Sequence, residues 1–123
     1  MAIGLAKKLE LYNSSQLTKS VINACQEAKA QDLLIIKTKG LTDISDYIVI
    51  ASATSDRQAQ GIANRVLAEL SKEGIEPSGI EGLELGQWIL LDLTEVVLHV
   101  FYEPTRRHYD LEGLWSKAEQ EKL

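Results

Sequence analysis

Hydrophobic residues recur along this chain with two different periods, and the alternation between them lays out the fold. Leu17, Val21, Ile22, Cys25 and Ala28 lie close to the i, i+4, i+7, i+8 stripe of one helical face. Ser14 or Ser15 can cap such a helix with a hydroxyl that accepts from an orphan N–H, and the pattern carries it to about Ala30. Ala59, Ile62, Ala63, Val66, Leu67 and Leu70 form a second stripe. Thr54 or Ser55 caps it, Ser55 with Gln58 has capping-box spacing, and Gly74 closes it. Leu111, Leu114, Trp115 and Ala118 predict a last short helix within Tyr109–Glu121. Between the stripes run short continuous apolar segments: Leu33–Lys37, Tyr47–Ser52, Trp88–Asp92 and Val96–Tyr102. Such runs are expected of strands covered on both faces. Short turns join the first two and the last two, so each pair reads as antiparallel neighbours. Gly79–Leu83 adds a short edge strand, Pro104 ends the second hairpin, and Thr105–His108 forms a turn.

The expected architecture is an α/β (α+β) domain over residues 14–118: a single mixed β-sheet of about five strands with three helices. Residues 1–13 read as a loosely held lead-in and 119–123 as a fraying tail. The densest apolar stretch is Gln87–Arg107, the second hairpin and its exit. It belongs mid-sheet, with helices on one side and room for a partner on the other.

Composition narrows the function. The chain has 123 residues, enough for one domain with a real core. Its net charge of −5 argues against phosphate-led nucleic-acid binding and suits a basic protein partner. One cysteine, Cys25, excludes an internal disulfide and reads as a small core residue. No apolar run approaches the roughly 20 residues of a membrane span, and the N-terminal sequence does not read as a secretory signal. A cytoplasmic location is therefore expected.

Candidate chemistry is sparse. Ile50–Ser55 resembles the strand, small-residue turn and helix that cradle phosphates in nucleotidyl transfer. Two-metal phosphoryl transfer needs paired carboxylates. The neighbouring strand offers Asp92 alone, with Thr94 where a second should stand, and the turn lacks glycine. An enzyme using Asp92 as a metal-binding carboxylate is the alternative reading. His99 lies in a β-run, where Asp92 across the hairpin would satisfy it. His108 reads as exposed, and Asp43 and Asp46 as turn caps. No metal site or cofactor is expected. Trp88 at the base of the hairpin and Leu93 at its tip are different, because large apolar groups in a turn region give exposed anchor area for a protein partner. The competing reading packs Trp88 under the Gly82–Gly86 loop and Leu93 under a helix end.

Several stretches recur together in one known family. They are Thr42-Asp43 before Tyr47–Ser52, then Thr54-Ser55 with Arg57-Gln58, Pro77, and Glu81-Gly82. Trp88-Ile89-Leu90-Leu91-Asp92 and Val96-Val97-Leu98-His99-Val100-Phe101 follow, then Arg106, Tyr109, Leu111-Glu112 and Leu114-Trp115. As an ordered set over about Gln16–Ser116, they resemble the ribosomal silencing factor family, also called Iojap or RsfS. Ala53, Asp56, Leu93-Thr94 and His108 depart from its usual residues. The resemblance implies a nucleotidyltransferase-like domain without an active site, and hence no enzyme. It implies binding to the large ribosomal subunit through ribosomal protein L14, blocking subunit joining and repressing translation. A role in large-subunit biogenesis and a homodimer are also implied. By the family pattern Trp88 and Leu93 contact the ribosomal protein, with Asp92, Thr94 and His99 beside them.

Overall fold

The computed structural model describes residues 13–123, so the expected lead-in lies outside the described residues except for Asn13. The elements are α1 (Ser14–Glu27), β1 (Gln31–Lys37), β2 (Tyr47–Ala53), α2 (Asp56–Lys72), β3 (Gly79–Glu81), β4 (Trp88–Asp92) and β5 (Val96–Tyr102). A short α3 (Glu103–Tyr109), a single turn α4 (Leu111–Leu114) and β6 (Glu119–Lys122) complete the chain. The six strands form one sheet in the order β3-β4-β5-β2-β1-β6. All neighbours are antiparallel except β2 and β5, whose parallel pairing is reached by the crossover through α2. The expected class holds, with one more strand than the pattern suggested.

Side-chain alternation sorts the sheet into two faces. Val49, Ala51 and Ala53 of β2, Ile89 and Leu91 of β4, and Val96, Leu98 and Val100 of β5 point one way. They merge with Val21, Ile22 and Cys25 of α1 and Ala59, Ile62, Ala63, Val66 and Leu70 of α2 into the main core. The alanines on strand and helix let α2 approach the sheet closely. Cys25 is fully buried, and burial pushes its thiol up to about 12, so it packs as a hydrophobe. The opposite face carries a smaller cluster of Leu34, Ile36, Ile48, Ile50 and Phe101, with Leu111, Trp115 and Ala118 laid over it.

Local caps differ in detail from the sequence expectation. Asn13, not Ser14 or Ser15, caps α1: its side-chain oxygen accepts from the Gln16 N–H at 2.9 Å. Ser55 caps α2 as expected, accepting from the Gln58 N–H at 3.0 Å. The return half of the box is displaced by one residue, because Gln58 Oε1 accepts from the Thr54 N–H and hydroxyl. In the β1–β2 turn it is Thr42, not Asp43 or Asp46, whose side chain caps: its hydroxyl accepts from the Ile44 N–H.

The C-terminal stretch is the main correction. No single helix covers Tyr109–Glu121. Pro104 opens α3, where a proline in the first turn loses no hydrogen bond. Asp110, in the left-handed region at φ 46°, then breaks the helix. The helically spaced Leu111, Trp115 and Ala118 still reach the sheet, but from successive turns. Residues expected to fray instead form β6, paired to the open edge of β1 from Leu34↔Lys122 to Lys37↔Glu119. All four β6 side chains are exposed, so the strand is held by main-chain pairing and by Gln120, whose Nε2 donates to the Glu112 and Trp115 carbonyls, and no apolar pattern announces it.

Candidate functional site

The site is built on the β4–β5 hairpin. Trp88, Leu90 and Asp92 alternate onto the face turned away from α1 and α2, opposite Phe101, His99 and Val97 of β5. The loop before β4 folds tightly onto it. Gly82 has φ 78°, and a Cβ there would collide with the Trp88 carbonyl oxygen, so only glycine lets the loop close over the strand start.

Trp88 is half-buried within a group of four rings. Its centroid lies 4.9 Å from Phe101, 4.8 Å from Tyr109 and 6.0 Å from His99. The indole Nε1–H donates to His99 Nδ1 at 2.9 Å. The indole nitrogen is a donor only, so Nδ1 must be an acceptor and the imidazole is neutral with its proton on Nε2. Burial among apolar neighbours pushes the His99 pKa down to about 4, which keeps this neutral form throughout the physiological range. The expected His99–Asp92 contact does not form. Leu90 stands directly opposite His99, and Asp92 lies two positions further along, where its Oδ1 accepts from the Thr94 N–H at 2.9 Å.

The turn holds a second correction. Leu93 is not offered at the tip but is only 6 % exposed and joins the main core. Ile89, Leu91 and Leu93 continue one alternation past the end of β4, so the same parity that buries the first two buries the third. The turn closes because Thr94 adopts φ 72°, which a β-branched residue rarely tolerates, and the Leu93 N–H then donates to the Val96 carbonyl. Of the expected site residues, Trp88, Asp92 and His99 therefore share one face and Thr94 stands at its corner, while Leu93 points through to the other side. Leu90 and Val97, which the sequence reading passed over, lie half-buried between them and outside both core clusters. Exposed Glu81 and Glu95 flank this apolar strip, and Tyr109, 53 % exposed, borders its far end.

The geometry counts against nucleotidyl transfer. Asp92 pairs with Val97 at one end of β5, whereas Ser52 at the small-residue turn pairs with Phe101 at the other. Four strand residues separate these ends by roughly 13 Å, too far for one metal centre. Ser52 is also already engaged: its hydroxyl accepts from Arg106 Nη1 at 2.7 Å. No cluster of three or more histidine, cysteine or acidic residues able to hold a metal occurs among the described residues.

Arg106 is the residue whose role sequence reasoning missed. Its side chain, 11 % exposed, donates to Ser52, to the Asp32 carbonyl at 2.7 Å and to Glu112 Oε2 at 2.9 Å. It thus ties the irregular start of β1, the end of β2 and α4 together. A cavity of about 640 Å³ opens beside it, between Asp32, Ser52, Arg107, Glu112 and Lys122. Arg107 is paired there with Glu103 at 2.8 Å.

Known proteins align with the chain along most of its length. Residues 12–123 match the family model described as ribosomal silencing factor during starvation. The chain is 35 % identical over 106 residues to a ribosomal silencing factor of Bacillus subtilis, covering 86 % of this chain and 90 % of that protein. A ribosomal silencing factor of Halalkalibacterium halodurans is likewise 35 % identical over 106 residues, covering 86 % and 91 %. A crystal structure of a protein from Chromobacterium violaceum superposes with a TM-score of 0.83 at 33 % identity, covering 85 % of this chain and 88 % of that one. No described helix is long and apolar enough to cross a membrane.

Proposed function

The chain belongs to the ribosomal silencing factor family, and from that premise we propose that it docks on ribosomal protein L14 of the large subunit through the Trp88 face of the β4–β5 hairpin. Bound there, it excludes the small subunit sterically and represses translation. The same occupancy of immature large subunits would give it a part in their maturation.

The observation that carries the reading is the half-buried indole of Trp88, clamped by His99, Phe101 and Tyr109 beside the half-open strip of Leu90 and Val97. A large aromatic held rigid before binding loses little entropy on docking, which is what makes an anchor effective. Glu81, Asp92 and Glu95 around it favour a basic partner, in line with the chain's net charge of −5. A steric blocker needs no chemistry, only an interface of standard size, about 800 Å² per partner. Asp92 and Thr94 form the corner of that interface, and Leu93 supports it from beneath.

The test is co-sedimentation with isolated large subunits, together with a subunit-joining assay. Wild-type protein should co-sediment and reduce joining. Trp88→Ala should lose at least about 2 kcal/mol of binding, roughly 30-fold in affinity, while still unfolding cooperatively. A Trp88→Ala protein that sediments with the subunit like wild type would remove the anchor and with it the proposed face.

A further inference from the structure

One polar atom on the proposed face is left unused. His99 Nδ1 is turned inward to the indole, which fixes the ring proton on Nε2. Among the described residues Nε2 makes no hydrogen bond. It is not sealed in the interior either, because Glu112 Oε1 is the sole buried side-chain polar atom without a partner among those residues. His99 keeps 7 % of its surface exposed. A single N–H therefore reaches the surface in the middle of an apolar strip, with Leu90 opposite it on β4 and Ile50 opposite it on β2.

We infer that His99 reads one hydrogen-bond acceptor on the docked partner, its Nε2–H donating to an uncharged oxygen, a main-chain carbonyl of the segment laid across Leu90 and Val97. The inference rests on the docking reading above. A carboxylate acceptor is disfavoured because Glu81, Asp92 and Glu95 surround the strip with negative charge. A purely apolar partner surface is disfavoured too, since it would seal the N–H without a partner. Trp88 and His99 then divide the work. The indole supplies apolar area, and its own N–H sets the tautomer that lets the imidazole select a correctly placed oxygen. Such a contact adds register more than strength, as polar groups set in apolar sites generally do.

The decisive variant is His99→Asn. Its side-chain oxygen falls near the place of Nδ1 and can still accept from Trp88, but nothing replaces Nε2–H. Read in a Trp115→Phe background, so that Trp88 is the sole indole, the variant should keep the wild-type emission maximum. Its affinity for the large subunit should fall about 10-fold, the loss of one hydrogen bond, about 1.4 kcal/mol. Undiminished affinity overturns the inference and leaves the docking face standing, whereas wild-type affinity of Trp88→Ala overturns both. A second measurement needs no variant. In protein carrying isotope-labelled histidine, the His99 Nε2–H resonance should move downfield and exchange more slowly when isolated L14 is added. A resonance that stays in place while other hairpin signals shift overturns the assignment.

Discussion

Acidification should weaken this fold through His99 before its carboxylates are all protonated. The imidazole is neutral in the folded state because a charge there would sit among Trp88, Leu90, Ile50 and Phe101 with no anion against it. Protonation would also turn Nδ1 from acceptor into donor and set it against the indole N–H. The folded pKa is about 4, against an ordinary histidine value of 6.5. Between these values the unfolded chain binds the proton and the folded chain does not. The contribution is therefore fully present above about pH 6.5 and is lost as the pH falls toward 4. A difference of about 2.5 units corresponds to about 3 kcal/mol, of which about 2 kcal/mol is lost by pH 5. That is a large part of a stability of typical size, about 5–15 kcal/mol. Urea unfolding of wild type and His99→Asn at about pH 7.5, 6 and 5 isolates the effect, because the other titrating groups are common to both proteins. Wild type should lose about 2 kcal/mol more than the variant over this range. Parallel pH profiles would refute the reasoning, since they would mean that His99 titrates alike in the folded and unfolded chains.

Two further outcomes follow from the turn and the arginine tie. Thr94→Gly should raise stability by about 1 kcal/mol in urea melts, because relief of the left-handed β-branched residue exceeds the added freedom of the unfolded chain. Arg106→Ala should lower stability by about 3 kcal/mol by stranding Glu112, Ser52 and the Asp32 carbonyl, whereas Arg107→Ala, whose pair with Glu103 is exposed, should stay within about 0.5 kcal/mol.

What could be read from the sequence was what periodicity governs. The stripes of α1 and α2 and the apolar runs of β1, β2, β4 and β5 are set by which residues must leave water, and that signal is local. Trp88 and His99 were identifiable as candidates because an indole and an imidazole stand out in a β-run. Their mutual hydrogen bond was not, since it depends on a diagonal relation across the hairpin, and the sequence offers Asp92 as the partner of His99 instead. Leu93 stands at a turn position, which suggests exposure, but the alternation through Ile89 and Leu91 carries it inward. Arg106 reads in sequence as half of a surface arginine pair. Only the meeting of β1, β2 and α4 makes it a buried tie, and those contacts span up to 74 residues. β6 was invisible for the opposite reason, since none of its side chains is buried and only its main chain and the polar Gln120 amide hold it.

That last strand has a consequence for self-association. β6 leaves one main-chain edge of the sheet open, and two copies could in principle join there antiparallel about a two-fold axis. Residues that face each other across such a joint must lie on the same side of the merged sheet, so only registers centred on a residue are possible. Centring on Gln120 sets Glu119 against Glu121 of the second copy, and centring on Glu121 sets that carboxylate against its own image. Like charges directly opposed across strands are destabilising. The strand that completes β1 thus also repels a copy of itself, as charged edge strands do elsewhere. Any homodimer of this chain has to be built from another surface, and exposed apolar side chains stand at several places away from this edge, at Leu41 and Ile44 between β1 and β2, at Leu85 before β4 and at Leu114 in α4.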